Sequence, residues 1–318
     1  MNRRIKQLFI TSAFVLLIAT SSTFIINDVT SSKITKMINQ DDDKPKISVV
    51  AHRGLSSLEI ENSFEAIRLG FQDQSTSAVE IDIRLTKDKK IVVIHDDEIN
   101  NKKVSTSTLE ELQKEKVKAY IPTTSDYITS LLDNISGNLI RTRFQIIQNK
   151  TTKISTLKEI LDLYKDYQEK ELILEFKFEN NEDDFIKEFN NLIKEYNYPK
   201  IIIQCDNYEK LTKMKQLHPN FEYHLIIKKD NYEEMKKVDL DGYVIRKNLI
   251  NYDDVNNLLN NNKKVSIWTI ASYKDFKDAN KNLRDLNNKV SYITNYPDSI
   301  NTWQELINKD KPKIKVKE

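Results

Sequence analysis

From Lys46 onward, short apolar runs alternate with amphipathic segments, and that rhythm leaves few folds open. The β-type runs are Ile47–Ala51, Ala78–Leu85, Ile91–Ile94, Leu172–Phe176, Ile201–Gln204, Tyr223–Ile227, Gly242–Ile245, Val265–Ile270 and Tyr292–Thr294. Helical patterns lie between most of them, at Asn62–Leu69, Glu182–Tyr196, Tyr208–Leu217, Tyr232–Val238, Asp253–Asn260 and Tyr273–Leu286. Strands that take turns with helices pair in parallel. About eight such units over roughly 260 residues predict an α/β fold of the TIM (β/α)8 barrel type. A doubly wound open sheet is the alternative, with less support because no Gly-rich phosphate loop follows the first strand.

The rhythm breaks between Glu98 and Lys153. This polar stretch, weakly helical at Leu109–Lys116 and Ile128–Ile135, reads as an insertion (98–153) after the third strand-like run. Long excursions of this kind shape site entrances in barrels. Before the barrel, Arg3, Arg4 and Lys6 precede an uncharged apolar run from Leu8 to Ile26. The run is long enough to span a bilayer, which takes about 20 residues, and its basic flank keeps the N-terminus inside. Residues 1–27 are thus expected to be a transmembrane anchor, or else a cleaved signal segment, with 28–46 as a polar linker and 47–310 as the exported barrel. The expected location is the cell membrane, single-pass, with the barrel domain extracellular, or secretion if the segment is cleaved.

Charge excludes little but does set one limit. Lys and Arg total 50 against 48 Asp and Glu. A chain so balanced lacks the basic excess of a nucleic-acid coat protein, and no nucleic-acid partner is expected. The one cysteine, Cys205, has no partner for an internal disulfide and reads as a small buried residue.

Four clusters of chemically active residues fall at expected C-terminal strand ends, the face where barrel active sites lie. They are His52-Arg53-Gly54, Glu80-Ile81-Asp82, His95-Asp96 and Glu175-Phe176-Lys177. Residues two apart on a strand share a side, so Glu80 and Asp82 aim two carboxylates into one space, and Glu175 and Lys177 point together from another strand. Crowded carboxylates call for a hard divalent cation with oxygen ligands, Ca²⁺ or Mg²⁺. Arg53 and Lys177 supply positive charge for an anionic group, Arg with a bidentate grip on phosphate. His52 and His95 titrate near neutrality and suit acid and base roles. His218 and His224 lie outside the clusters and read as structural.

These residues resemble the glycerophosphodiester phosphodiesterase family. His52-Arg53-Gly54 with Glu61-Asn62-Ser63 is similar to its opening signature, Glu80-Ile81-Asp82 through Asp88 to its E-x-D segment, and Val92 to Asp96 to its histidine strand. Thr156-Leu157, Glu175-Phe176-Lys177, Trp268-Thr269 and Ile293 to Pro297 match its later motifs, so the likeness covers nearly all of 47–305. The resemblance implies a barrel that hydrolyses glycerophosphodiesters, lipid-derived or polymeric, to glycerol phosphate and an alcohol. It implies His52 and His95 as the acid/base pair and Glu80, Asp82 and Glu175 as metal ligands. Arg53 and Lys177 would contact phosphate, and Trp268 would line the glycerol or head-group side. Two departures bear on substrate choice: Asp97-Glu98-Ile99-Asn100 replaces the usual turn after His95-Asp96, and Ser155 stands where a Pro is usual. Two other readings stay open from sequence: a related phospholipase that forms a cyclic phosphate, and a surface binding protein without catalysis.

Overall fold

The computed structural model describes residues 47–118, 147, 149–179 and 181–310. The expected anchor and linker (1–46), most of the middle of the insertion and the expected helix at 128–135 lie outside the described residues. Among the described residues no helix is long and apolar enough to cross a membrane.

In chain order the strands are β1 (Ser48–His52), β2 (Ala78–Leu85), β3 (Ile91–Val93), β4 (Glu98–Ile99), β5 (Lys102–Lys103), β6 (Val117–Lys118), β7 (Thr151–Thr152) and β8 (Ser155–Thr156). There follow β9 (Glu171–Phe176), β10 (Ile201–Cys205), β11 (Glu222–Ile227), β12 (Gly242–Arg246), β13 (Lys264–Ile270) and β14 (Ser291–Thr294). Eight of them, β1, β2 and β9 to β14, pair in parallel, each with its chain neighbour in that set. The ring closes where β1 pairs with both β14 and β2. This is the expected (β/α)8 barrel. Its interior holds a layer of Val50, Ala78, Ile173, Ile202, Ile226, Val244 and Ile293. The alternate residues, among them Val49, Val79, Ile81, Leu172 and Leu174, face outward into a continuous core with Phe71, Leu161 and Phe189 of the surrounding helices.

Among the described residues seven α-helices flank the barrel strands, and their starts are written into the sequence. Ser63 caps the helix Phe64–Gln72 by accepting from Ala66 N. Thr156 and Glu159 form a reciprocal capping box on the helix Leu157–Tyr164. In the unit after β11 the amphipathic stretch forms a 3-10 helix, Tyr232–Lys236, rather than the expected α-helix. The run is short and sits between Asp230-Asn231 and Asp239, which leaves little room for further turns.

The third β-type run is not a barrel strand. β3 runs antiparallel to the end of β2, with Ile83 opposite Val93 and Leu85 opposite Ile91. Only residues 86–90 join the two, enough for a hairpin, whereas a parallel neighbour needs a crossover of about a dozen residues or more. The excursion therefore leaves the barrel at the end of β2, earlier than the expected boundary at Glu98. It contains the small hairpin of β4 and β5, the helix Leu109–Gln113 and the β6–β7 pair, and it rejoins the barrel through β8, which pairs with β3.

Candidate active site

Strand alternation decides which side chains gather at the C-terminal rim. Val50, Ala78, Ile173 and Ile202 face the barrel axis. The residues two and four places further on must do likewise: His52, Glu80, Asp82, Glu175, Lys177 and Gln204. Glu80 and Asp82 are each 1% exposed. With Glu175 they offer oxygen atoms that all lie within 4.8 Å of one another.

The loop after β1 is folded back over this cluster. Arg53 takes φ +59°, Gly54 +78° and Asn62 +59°. Gly54 is required, since a Cβ there would sit 2.4 Å from the backbone of Ala66. The reversal turns the Arg53 N–H onto Glu80 Oε2 at 3.0 Å. It also directs the guanidinium onto Glu61 at 2.6 Å and Asp82 at 3.1 Å. Asn62 donates to Asp82 Oδ2 at 2.8 Å and accepts from the Asp82 N–H at 3.1 Å. From β9, Lys177 lies 3.1 Å from Asp82 and also pairs with Glu175.

Three carboxylates this close cannot all ionise as they would in water. Burial, then the neighbouring Asp82, pushes Glu80 and Glu175 above the ordinary carboxylate range. Burial opposes ionisation of Asp82 as well, but Arg53 and Lys177 overcome it and hold that group at about 2. The donor set suits a hard cation: Glu80 Oε1 is buried with no hydrogen-bond partner among the described residues.

The two imidazoles enter from different directions. His52 Nδ1 meets Asn295 Oδ1 at 2.6 Å, so the ring donates there and leaves Nε2 unprotonated, 3.9 Å from Glu80. Burial and then Arg53 lower His52 to about 3, so it is neutral at ordinary pH. His95 arrives on the antiparallel β3, not on a barrel strand. Ile94 N donates to Asp82 O, and the Arg84 guanidinium donates twice to the His95 carbonyl, at 2.9 and 2.7 Å. The His95 ring donates from Nδ1 to Asp96 at 2.9 Å.

A cavity of about 270 Å³ opens beside the cluster. Glu61 and Asn62 of the loop after β1 line it together with His95, Asn100, Val117 and Thr152 of the excursion. Trp268 is placed apart from the hydrogen-bonded cluster, on β13 in register with Arg246, and packs on the interior apolar layer.

The comparisons with known proteins point one way. Residues 52–299 match the glycerophosphoryl diester phosphodiesterase family. The chain belongs to that family. It is 24% identical over 265 residues to YhdW of Bacillus subtilis, covering 79% of this chain and 96% of that one. It is 26% identical over 186 residues to the glycerophosphodiester phosphodiesterase of Caldanaerobacter subterraneus, covering 57% and 67%. In fold it is similar to a phosphodiesterase of Oleispira antarctica solved with its product sn-glycerol-3-phosphate, with TM-score 0.61, 23% identity and coverage of 81% and 96%.

This family member carries four site residues to which the motifs alone assign no role. Asn62 and Glu61 were visible as part of the opening signature, but only the fold-back of the loop shows them on Asp82 and Arg53. Asn295 follows β14, and closure of the barrel sets β14 beside β1, with Ala51 opposite Thr294. Arg84 extends β2 past the rim to hold His95. The remaining histidines stand elsewhere: His218 bonds Asn190 at 2.5 Å, and His224 is buried beside Glu222. Cys205 is 1% exposed in the outer core, and burial pushes its thiol up to about 12.

Proposed function

We propose that this family hydrolase cleaves glycerophosphodiesters to glycerol phosphate and an alcohol with a divalent cation, Ca²⁺ or Mg²⁺, held by Glu80, Asp82 and Glu175. The observation that carries this reading is the convergence of three carboxylates, drawn from two adjacent strands, within 4.8 Å at a rim that also holds two imidazoles. The cation would stabilise charge on the phosphoryl oxygens. Arg53 and Lys177, already drawn to the carboxylates, place two positive charges where a phosphate would sit. His52 offers an unprotonated Nε2 toward the cluster and suits the taking of a proton from the attacking water. His95 lines the cavity beside the excursion, which suits it to protonate the departing alkoxide of a head group bound there. Trp268 supplies an aromatic face on the opposite side for the glyceryl chain.

The test is a phosphorus NMR assay of the full chain on glycerophosphocholine and on a glycerol-phosphate polymer, with and without EDTA. Glycerol phosphate should appear only with the cation present. A cyclic phosphate as the end product would replace hydrolysis by intramolecular transfer. Unchanged turnover in EDTA would remove the cation.

We further propose that the apolar run from Leu8 to Ile26 keeps the barrel (47–310) at the outer face of a cell membrane, with 28–46 as the tether. Support comes from the run itself and from Arg3, Arg4 and Lys6 before it. Fractionation checks this: the chain should pellet with membranes and resist salt washing. A soluble secreted product that begins after residue 20 would mean a cleaved signal instead.

A further inference from the structure

Gln204 takes no part in the chemistry above, yet its surroundings are those of a working residue. It lies on β10 two places after Ile202, whose side chain belongs to the barrel interior, so Gln204 also faces the axis. In strand register Gln204 stands beside Glu175, and Glu175 stands beside Asp82. Three consecutive strands therefore present Asp82, Glu175 and Gln204 as one row of oxygen-bearing side chains. Gln204 is 2% exposed, and its Oε1 has no hydrogen-bond partner among the described residues. A buried carbonyl oxygen without a donor is costly, and the large majority of buried side-chain oxygens have one. The interior layer, with Ile202, Ile226 and Val244, supplies none. In the rim cluster, Glu80 Oε1 is in the same condition.

We infer that the Gln204 carbonyl oxygen joins the oxygen shell of the cation at Glu80, Asp82 and Glu175, directly or through one bound water. The inference rests on the metal reading proposed above. Hard cations take six or more oxygens and accept amide carbonyls among them. A neutral oxygen adds a ligand to this site without adding a fourth negative charge to three carboxylates whose oxygens already lie within 4.8 Å of one another.

The experiment is calorimetric titration of the EDTA-stripped full chain with Ca²⁺ and with Mg²⁺, paired with melting curves with and without the ion. Gln204→Met keeps the side-chain volume and deletes the oxygen; Gln204→Glu keeps an oxygen. Gln204→Met should weaken cation affinity roughly ten- to a hundredfold, the usual effect of losing a supporting group around a metal. Its melting temperature without the ion should equal or exceed that of the unsubstituted chain, and the rise on adding the ion should shrink. Gln204→Glu should bind the cation at least as tightly as the unsubstituted chain. Wild-type affinity in Gln204→Met with a lower metal-free melting temperature would assign Gln204 to packing and overturn the proposal. Wild-type affinity with a raised KM would turn it toward substrate and overturn it equally. In either case loss of binding in Glu80→Ala would leave the metal reading standing, whereas no binding by the unsubstituted chain would remove both.

Discussion

β9 carries a glutamate at each end of the barrel, and the two meet different company. At the N-terminal end Glu171 shares Lys264 with Glu222, at 2.8 and 2.9 Å. His224 hydrogen-bonds to Glu222 and, with Lys264, holds it down at about 2. At the C-terminal end Glu175 is packed against Asp82 and raised, as is Glu80. Both ends are acidic clusters that share β9, but at one the carboxylates are partly exposed and matched to Lys264, and at the other they are buried and crowded against one another despite Arg53 and Lys177. The matched end contributes to folding. The crowded end is kept at a cost in stability, which is the usual mark of a site assembled for a ligand.

The sharpest way to break this contrast is to remove what the crowded end is proposed to bind. EDTA, or Glu80→Ala, should lower turnover by several kcal/mol of transition-state stabilisation, or roughly three or more powers of ten. Stripping should also lower the melting point, since an ion at a hundred times its Kd stabilises the folded chain by about 2.7 kcal/mol. The matched end should feel nothing. A melting point unchanged by chelation would make the two ends alike.

Next in size come the imidazoles at the crowded rim. His52→Ala and His95→Ala should each reduce kcat by about 10²–10⁴, the ordinary worth of a positioned acid or base. His224→Ala tests the same residue type at the other end, where it should alter stability and leave kcat near that of the unsubstituted chain. A smaller effect belongs to Asn295→Ala. It removes the acceptor that fixes the His52 ring, and a neutral hydrogen bond of about 0.5–1.5 kcal/mol predicts a loss of roughly two- to tenfold in kcat. No change in kcat would mean that the ring needs no such restraint.

The contrast between the ends also explains what could be read from the sequence. Eight parallel strands follow from alternation, and the inward aim of Glu80, Asp82 and Glu175 follows from a period of two, so fold and acids were legible together. His95 was assigned to the right rim for the wrong reason. Alternation places its strand in the parallel set, although the five residues after Leu85 allow only a hairpin. The supporting groups were hidden because they depend on closure. Asn295 reaches His52 across the joint between first and last strands, and Arg84 reaches His95 only because β2 runs past the rim. The matched end was illegible for the same reason: Lys264, Glu171 and Glu222 are far apart in sequence and meet only when β9, β11 and β13 share one barrel.

The smallest predicted effect sharpens the comparison from the matched side. Glu222 is about half exposed, so solvent screens its pairs with Lys264 and His224. Glu222→Gln should therefore cost under about 1 kcal/mol at neutral pH and leave kcat and cation affinity unchanged. The pH dependence has a definite sign. A carboxyl held at about 2 in the folded chain and near its ordinary value when unfolded stabilises the fold above the unfolded value, and that contribution drains away as pH falls through the folded one. The difference in stability between the unsubstituted chain and Glu222→Gln should thus be full above about pH 4.5 and vanish near pH 2. Denaturant unfolding at a series of pH values measures it. A gap that widened toward acid, or one that moved with added cation, would show that the two ends of the barrel are not electrostatically separate.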